Sequence, residues 1–347
     1  MKKNIFLTCA LLTGCLLTIT HTGFSQQTLS FKDHTLHFRQ AKEYFDAKNY
    51  VAAKEEFIQY LQTLEPINGE QSGQKVLAEY YITLCSIYMA QPESEVLAER
   101  FVANHPEHPQ SIKLLRGLGS FFYDNGDYAK AIKYLSRSSE TNLEAKYKLA
   151  VAYYEIKAFK NALKLFDEIK ITSFEEYSFP SAYYAAVLNF QEKRYADAVN
   201  DFKKAENSSK YRSEIPNWIS MCYFHQGKFT ELLNYAEPIL RQSSTSFKLD
   251  ALSLLVAEVQ FKLGYYEKAV ANYELAEQKN PSGFNSGIRY RQGFSLYKTN
   301  QFNKAADVLK PVVATKDTLS QYAALTLGLS QLKAGNLEAT LDALSIA

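Results

Sequence analysis

The sequence lacks the short motifs that carry catalysis in many enzyme families. It has no phosphate-binding loop with Gly-Lys-Ser/Thr, no His-Glu-x-x-His pair, no Cys-x-x-Cys pair and no Gly-x-Ser-x-Gly turn. Carboxylates are scattered along the chain, and no two are spaced as an acid–base pair. The sequence therefore predicts a protein that is not an enzyme and that uses no cofactor.

An excess of charge of one sign is absent as well. The chain has 39 Lys and Arg residues against 37 Asp and Glu residues, and Lys2 and Lys3 lie in its first segment. A protein that binds nucleic acid through phosphates needs a basic excess or a basic stripe. The sequence shows neither, and we expect no nucleic-acid partner.

Cysteine is scarce. Of four cysteines, Cys9 and Cys15 lie in the first 25 residues, which leaves Cys85 and Cys222. These two are far apart in the sequence, and both fall within apolar helical stretches. The pattern predicts two buried free thiols rather than a disulfide.

The first residues have the organisation of an export signal. Lys2 and Lys3 precede an apolar stretch from Ile5 to Ile19, and small residues lead to a polar break after Ser25. The stretch is shorter than the ~20 residues that a membrane span needs. We predict a signal peptide over 1–25, cleaved near Ser25, and a linker over 26–33. The expected location is the periplasm or the outer-membrane or cell surface.

A second interpretation of this segment is lipidation. Leu12-Thr13-Gly14-Cys15 resembles the bacterial lipobox, in which the cysteine becomes the lipidated N-terminus. Against it, the apolar run continues through Leu16 and Leu17 to Ile19, where lipoproteins turn polar. Cleavage near Ser25 is favoured, and membrane association is expected only if Cys15 is lipidated.

One phrase recurs along the rest of the chain. It consists of an aromatic residue, a short polar or Gly turn, a second aromatic, two residues, an alanine, three residues and a large residue. The clearest copies run from Tyr123 to Leu135 and from Phe261 to Tyr273. Weaker copies run over 45–57, 154–166, 190–202, 224–236, 297–309 and 332–344.

The phrase resembles the tetratricopeptide repeat, which has a period of 34 residues. That family has small residues at positions 8 and 20 of each repeat, a turn residue at 15 and aromatics near 17 and 24. Aligned on those positions, repeats start near 34, 78, 112, 143, 179, 213, 250, 286 and 321. The resemblance implies an all-α, right-handed α-solenoid of antiparallel helix pairs, the tetratricopeptide superhelix, with about nine repeats over 34–347.

The column of small residues carries the alignment. Position 8 is small in every repeat: Ala41, Cys85, Gly119, Ala150, Ala186, Ser220, Ala257, Gly293 and Gly328. Position 20 is alanine in six repeats: Ala53, Ala131, Ala162, Ala198, Ala269 and Ala305. Small side chains at these places allow the two helices of a pair to approach closely.

Three departures from the pattern lead to further expectations. The first interval is long, and Asn68 to Gly73 is predicted to be a surface loop. Pro238 and Pro311 both fall at position 26, where each is expected to kink or shorten the second helix of its repeat. The ninth repeat reaches only position 27 at Ala347, so it looks truncated, with Leu341, Leu344 and Ile346 on an uncapped face.

Two short segments have a weak likeness to metal sites. His105-Pro106-Glu107-His108-Pro109 has two histidines three residues apart, but its prolines favour an extended linker. Asp124-Asn125-Gly126-Asp127 lacks the ligand pattern of a calcium loop and occupies a repeat turn. We expect no metal at either segment.

The remaining candidate for a site is a surface. The tetratricopeptide resemblance implies that first helices line a concave face, with positions 2, 5, 9, 12 and 13 directed into it. The candidate peptide-binding residues at positions 5 and 12 are aromatic: Phe38, Phe45, Tyr123, Tyr147, Tyr154, Tyr183, Phe190, Phe224, Phe261, Tyr290 and Tyr297. Such a row suits an extended peptide. The other interpretation, which is favoured, is that the rings fill space between neighbouring helices.

This predicted face also has a mild basic bias, too weak by itself to name an acidic ligand. Its cationic residues are Arg116, His225, Lys262, Lys298 and Lys333.

The leading functional hypothesis is an exported scaffold that binds a protein or peptide partner on the concave face. The alternative is an N-terminal spacer or assembly arm of a longer envelope protein whose activity lies beyond residue 347. The long exported tetratricopeptide proteins of Bacteroidota, with a leader that ends near Gln-Gln, look similar. That resemblance fixes no function.

Overall fold

The computed structural model describes residues 35–64, 69–242, 249–314 and 317–347. The predicted signal peptide and linker lie outside these ranges. Contacts between α-carbons divide the chain into two compact units, Met1–Ile82 and Thr83–Ala347, with the boundary inside one helix. In the described ranges the regular structure is entirely helical, as the repeat pattern predicts.

Eighteen α-helices and one short 3-10 turn make up the described part of the chain, so that nine first helices alternate with nine second helices. The first helices are α1 (Leu36–Asp46), α3 (Gly69–Tyr88), α5 (Pro109–Asp124), α7 (Leu143–Glu155), α9 (Glu175–Gln191), α11 (Ile215–His225), α13 (Leu249–Lys262), α15 (Ser286–Lys298) and α17 (Thr318–Lys333). The second helices are α2 (Tyr50–Thr63), α4 (Ser94–Asn104), α6 (Tyr128–Leu135), α8 (Phe159–Lys170), α10 (Tyr195–Ala205), α12 (Phe229–Arg241), α14 (Tyr266–Lys279), α16 (Phe302–Val313) and α18 (Leu337–Leu344).

Helices of a pair meet at the predicted small residues. The nonglycine residues at position 8 and all six alanines at position 20 have no exposed surface. At positions 119, 293 and 328, even an added Cβ would collide with a leucine of the paired helix. Close approach of helix backbones requires such residues. The sequence alignment therefore identifies the packing surface of each repeat correctly.

The turn between paired helices has a left-handed residue at position 15 in eight repeats. Four of these residues are glycines: Gly126, Gly227, Gly264 and Gly335. The other four are Lys48, Lys157, Lys193 and Asn300, with φ between 60° and 63°. A left-handed residue after the helix end satisfies the last carbonyls of the helix and lets the chain reverse. In the repeat with the Gln91-Pro92 turn, the left-handed residue is Ala90, two places earlier.

Within the second unit, neighbouring repeats are joined through both layers of helices. First helices contact the next first helix at α5 and α7, α7 and α9, α11 and α13, α13 and α15, and α15 and α17. Second helices are bridged by ion pairs, for example Lys170 to Asp201 at 2.7 Å between α8 and α10. Lys268 and Lys304 make the same kind of bridge to Glu237 and Glu274 of the preceding second helix.

Two expectations from the sequence are corrected. The predicted loop at 68–73 is wrong from Gly69 onward, because Gly69–Gly73 form the first turns of α3; Asn68 lies outside the described residues. Glutamine and glutamate in this segment favour a helix, and Gly lowers helix stability without ending one. Pro238 and Pro311 do not shorten α12 and α16 at the proline, because these helices continue to Arg241 and Val313; the expected kink stays a prediction.

The last helix pair exposes several large apolar side chains. Leu341 is 71% exposed and Ile346 is 50% exposed, as the sequence predicts for these positions. None of the helices in the described ranges is long and apolar enough to cross a bilayer.

Candidate functional site

The aromatic residue at position 12 packs against the aromatic at position 17 of its own repeat. This pair recurs in seven repeats, with ring centroids 5.4 to 6.0 Å apart and the planes steeply inclined. The pairs are Phe45–Tyr50, Tyr123–Tyr128, Tyr154–Phe159, Phe190–Tyr195, Phe224–Phe229, Phe261–Tyr266 and Tyr297–Phe302. Each pair spans the turn, because position 12 lies in the last turn of the first helix and position 17 begins the second.

In three repeats of the second unit the position-12 ring is also contacted by a ring of the next repeat. Phe294 lies edge-on to Phe261 at 6.0 Å. Trp218 lies edge-on to Phe190 at 5.2 Å and stacks on Phe202 at 5.7 Å. Tyr184 does the same with Tyr154 and Phe166. Inclined and offset ring pairs of this kind stabilise a core beyond the area that they bury.

The candidate rings at position 5 also pack against other rings. Tyr183 stacks on Tyr211 at 4.3 Å, and Tyr147 contacts Phe166 and Tyr177. Burial raises the pKa of the Tyr147 hydroxyl far above its usual value. In the first unit, Phe38 packs edge-on to Phe57 and Tyr60.

All eleven candidate rings are half-buried. Their packing is that of rings which fill space between helices, and it accounts for most of their surface. The exposed remainder of each position-12 ring recurs in seven of the nine repeats, on the same turn of the first helix. This remainder is the part of the aromatic row that a ligand could contact.

Position 13 carries the exposed side chains beside this row. From the third repeat onward it is occupied by Asp124, Glu155, Gln191, His225, Lys262, Lys298 and Lys333, and all seven are exposed. The histidine and the lysines are part of the basic bias predicted from the sequence. That prediction did not include the change from acidic to basic side chains along the repeats, which is visible when position 13 is compared from one repeat to the next.

Arg116, the basic residue at position 5, has a structural role. Its guanidinium donates to the Ser138 carbonyl at 3.3 Å and to the Thr141 hydroxyl at 3.4 Å. It therefore ties α5 to the end of the third repeat.

The segments with a weak likeness to metal sites are linkers in the structure. His105 ends α4, and the His108 ring accepts a hydrogen bond from the Gln110 amide at the start of α5. Asp127 caps α6 by accepting from the Lys130 amide. Across the described ranges no three His, Cys, Asp or Glu side chains gather as a metal site would require. Cys85 and Cys222 are buried free thiols, as predicted.

Comparisons with known proteins agree with the helical-repeat architecture. Residues 88–169, less than a quarter of the chain, match the family described as anaphase-promoting complex, cyclosome, subunit 3. A comparison with curated proteins finds no match.

Solved structures give similar results. The structure of Naa15/Naa10 bound to HypK-THB has a TM-score of 0.55 at 13% identity, covering 90% of this chain and 50% of that chain. At this identity the likeness shows a shared fold. A tetratricopeptide repeat protein from Parabacteroides merdae ATCC 43184 has a TM-score of 0.40 at 16% identity, covering 76% of this chain and 98% of that chain. The apo form of RapI has a TM-score of 0.41 at 14% identity, covering 90% and 96%.

Proposed function

Since this chain has the tetratricopeptide-repeat fold, we propose that it is an exported scaffold that holds an extended segment of a partner protein along its first helices. The observation that carries the proposal is the exposed remainder of one aromatic ring in seven of the nine repeats, next to an exposed position-13 side chain. A row of partly exposed rings on rigid helices gives apolar contact at little cost in side-chain entropy.

Packing of the rings determines how the proposal should be tested. Replacing a half-buried ring by alanine would remove core contacts, so lost binding could reflect lost folding. A photo-crosslinking residue at Gln191 avoids this problem, because Gln191 is exposed and follows Phe190 directly. A matched probe at Lys203, exposed on the second helix α10, serves as the control.

We expect the probe at Gln191 to crosslink a defined partner in cells, and the probe at Lys203 to crosslink it weakly. Equal crosslinking from both helices would mean that the partner does not select the first-helix surface. No crosslink from Gln191, or from a second probe at Glu155, would remove the proposed site.

Export is part of the proposal and rests on the organisation of the first 25 residues. The mass of the mature N-terminus distinguishes the two alternatives. Cleavage after Ser25 leaves Gln26 first, whereas lipidation leaves an acylated Cys15. A full-length Met1 in the cell would contradict export through this leader.

The alternative is a spacer or assembly arm of a longer envelope protein. It is supported by a cleft of about 550 Å³ in the last helix pairs, lined mainly by apolar residues that include Val313, Leu327 and Ile346. The mass of the protein in its native cells tests this alternative. A polypeptide much larger than 39.5 kDa favours the arm, and one near that mass favours the free scaffold.

A further inference from the structure

The exposed side chains at position 13 are sorted by sign within the second unit. Asp124 and Glu155 are acidic, Gln191 is neutral and His225 is an imidazole. The last three repeats all have lysine: Lys262, Lys298 and Lys333, here called the lysine row. The chain has almost no net charge, so a run of one sign in equivalent places is a local feature of this surface.

These side chains lie along one edge of the helix layer. His225 stacks on Tyr195, the position-17 ring of the preceding repeat, at 5.1 Å and 10°. Lys262 Nζ lies 4.7 Å from the ring of Phe229, also at position 17 of the preceding repeat. Lys298 lines a cleft of about 440 Å³ together with Gly264–Lys268, the turn of the preceding repeat. Position 13 of one repeat thus lies beside the turn of the repeat before it.

The ammonium groups of the lysine row have no carboxylate partner among the described residues. In contrast, Lys268 and Lys304 of the second helices are paired with glutamates. Lys262 and Lys298 instead lie over the rings of Phe229 and Phe294, at 4.7 and 5.3 Å. A ring contact holds the lysine side chain in place and leaves its charge available to a second group.

One carboxylate does lie in the neighbourhood. Glu267 lines the same cleft as Lys298, together with Lys268. Lys268 lies 3.3 Å from Glu237, and Glu267 makes no ion pair with Lys298 in the described structure. The Lys298 ammonium is therefore not engaged by this acid, although the carboxylate lies in the same cleft.

Helix spacing fixes which ligand fits the row. Packed helices lie roughly 8–10 Å apart, and α13 contacts α15, which contacts α17. An extended segment in the polyproline II conformation advances about 3.1 Å per residue with three residues per turn, so that every third side chain points the same way. Successive lysines therefore face side chains about three residues apart.

We propose that the lysine row binds an extended acidic segment of the partner protein, with carboxylates at every third residue. The residues between the carboxylates lie against the exposed edges of Phe261 and Tyr297, which directly precede Lys262 and Lys298. This inference rests on the proposed scaffold function and names the chemistry of its partner. Exposed ion pairs are individually weak, so selectivity comes from the match in spacing along the row.

The test uses the chain from residue 26 to 347 and a fluorescent peptide made of Glu-Leu-Ser repeats, with binding measured by anisotropy. Two further peptides serve as probes: one has Gln in place of Glu, and one has the same composition with its glutamates contiguous. We expect the Glu-Leu-Ser peptide to bind at least 10-fold more tightly than either, with affinity that falls as salt is added.

The charge-reversed variant Lys262→Glu/Lys298→Glu/Lys333→Glu should weaken binding at least 10-fold. The matched control is Lys160→Glu/Lys203→Glu/Lys279→Glu, which changes three exposed lysines of second helices by the same total charge. Circular dichroism checks that both remain helical, and the milder Lys298→Gln should lose a smaller part of the affinity.

Equal weakening in both triple variants would show attraction to net charge and would overturn the inference. So would tighter binding of the contiguous peptide, absence of binding to the unmodified chain, or a dimer in sedimentation that the row variant abolishes. The Gln191 crosslink is read separately. A crosslink without peptide binding overturns the lysine row alone, whereas failure of both overturns the scaffold function as well.

Discussion

A Cβ atom added to Gly293 would lie 2.6 Å from the Cγ atom of Leu309, the residue at position 24 of the same repeat. The same relation holds between Gly119 and Leu135, and between Gly328 and Leu344, at 2.7 Å. Repeats with Phe or Tyr at position 24 have Ala or Cys at position 8 instead. A leucine branches close to its backbone and occupies the place of that Cβ, whereas a flat ring extends past it.

Gly293→Ala should therefore destabilise the chain by about 1–3 kcal/mol, because the new methyl group overpacks a buried contact. Adding Leu309→Phe, which restores the pairing of the aromatic repeats, should recover part of the loss. Urea unfolding midpoints measure both effects. Gly287→Ala is the control in the same helix, where the Cβ meets only side-chain atoms at 3.3 Å or more. Helix propensity favours alanine at both positions, so a loss at position 287 as large as that at 293 would show that the contact with Leu309 does not decide the result.

The left-handed lysines of the turns give a second prediction, with the opposite sign. Lys157 has φ 63° and is exposed. A nonglycine residue in this region costs about 1 kcal/mol. Lys157→Gly should therefore raise the thermal unfolding midpoint by a few degrees. Lys164→Gly, at an exposed position in the middle of α8, should lower it because glycine weakens a helix interior. A fall in both variants would contradict the strain at position 157.

The sequence predicts the packing better than the surface, for a physical reason. Positions 8 and 20 must be small wherever two backbones approach, so Ala162 or Ala198 can be assigned from its column alone. The start of α3 was missed because a Gly-containing polar segment suits a loop or a helix equally, and only tertiary contacts decide. Tyr60 makes one such contact within the first unit, where its hydroxyl donates to Gln74 at 2.8 Å.

In the candidate site, too, the sequence predicts where a ring lies but not how much of it is exposed. Periodicity places Phe190 and Tyr195 on either side of a turn, and it cannot tell how much of each ring the next repeat covers. Trp218 provides that cover. It comes from a different repeat, and its alignment over Phe190 depends on the angle between helix pairs. The net charge of the chain likewise does not indicate the lysine row, because acidic and basic residues elsewhere are nearly equal in number.

Buried thiols provide a third prediction, for a chain that begins at residue 26 and so lacks Cys9 and Cys15. Burial raises the pKa of the Cys222 thiol to about 12, so that almost no thiolate forms near neutral pH. Cys85 is buried as well. Ellman's reagent should react slowly with the native protein and should titrate both thiols after unfolding in guanidinium chloride. Rapid reaction in the native state would contradict the burial. A Cys222→Ser variant shows which part of the reaction with Ellman's reagent comes from Cys222 and which from Cys85.

The ion-pair cluster between α4 and α6 gives the last prediction, which concerns pH. Lys130 Nζ donates to Glu95 at 2.7 Å, and the hydroxyl of the buried Tyr134 donates to its other oxygen at 2.5 Å. These hydrogen bonds lower the pKa of the Glu95 carboxyl from 4.5 to about 2. Because the folded pKa lies below the unfolded one, the stabilisation is complete above about pH 4.5 and is lost as the pH falls toward 2. After allowance for solvent screening, it amounts to roughly 1–2 kcal/mol.

Glu95→Gln should accordingly lower the thermal midpoint near pH 6.5 and have a much smaller effect near pH 2.5. Glu338→Gln is the control, since Glu338 is exposed and makes no ion pair in the described structure. The thermal midpoint of each variant is compared with that of the unmodified chain at both pH values. An equal loss at both would mean that Glu95 acts through packing or neutral hydrogen bonds. A loss confined to the higher pH requires the charged carboxylate. It would show that acid weakens the contact between the second and third repeats.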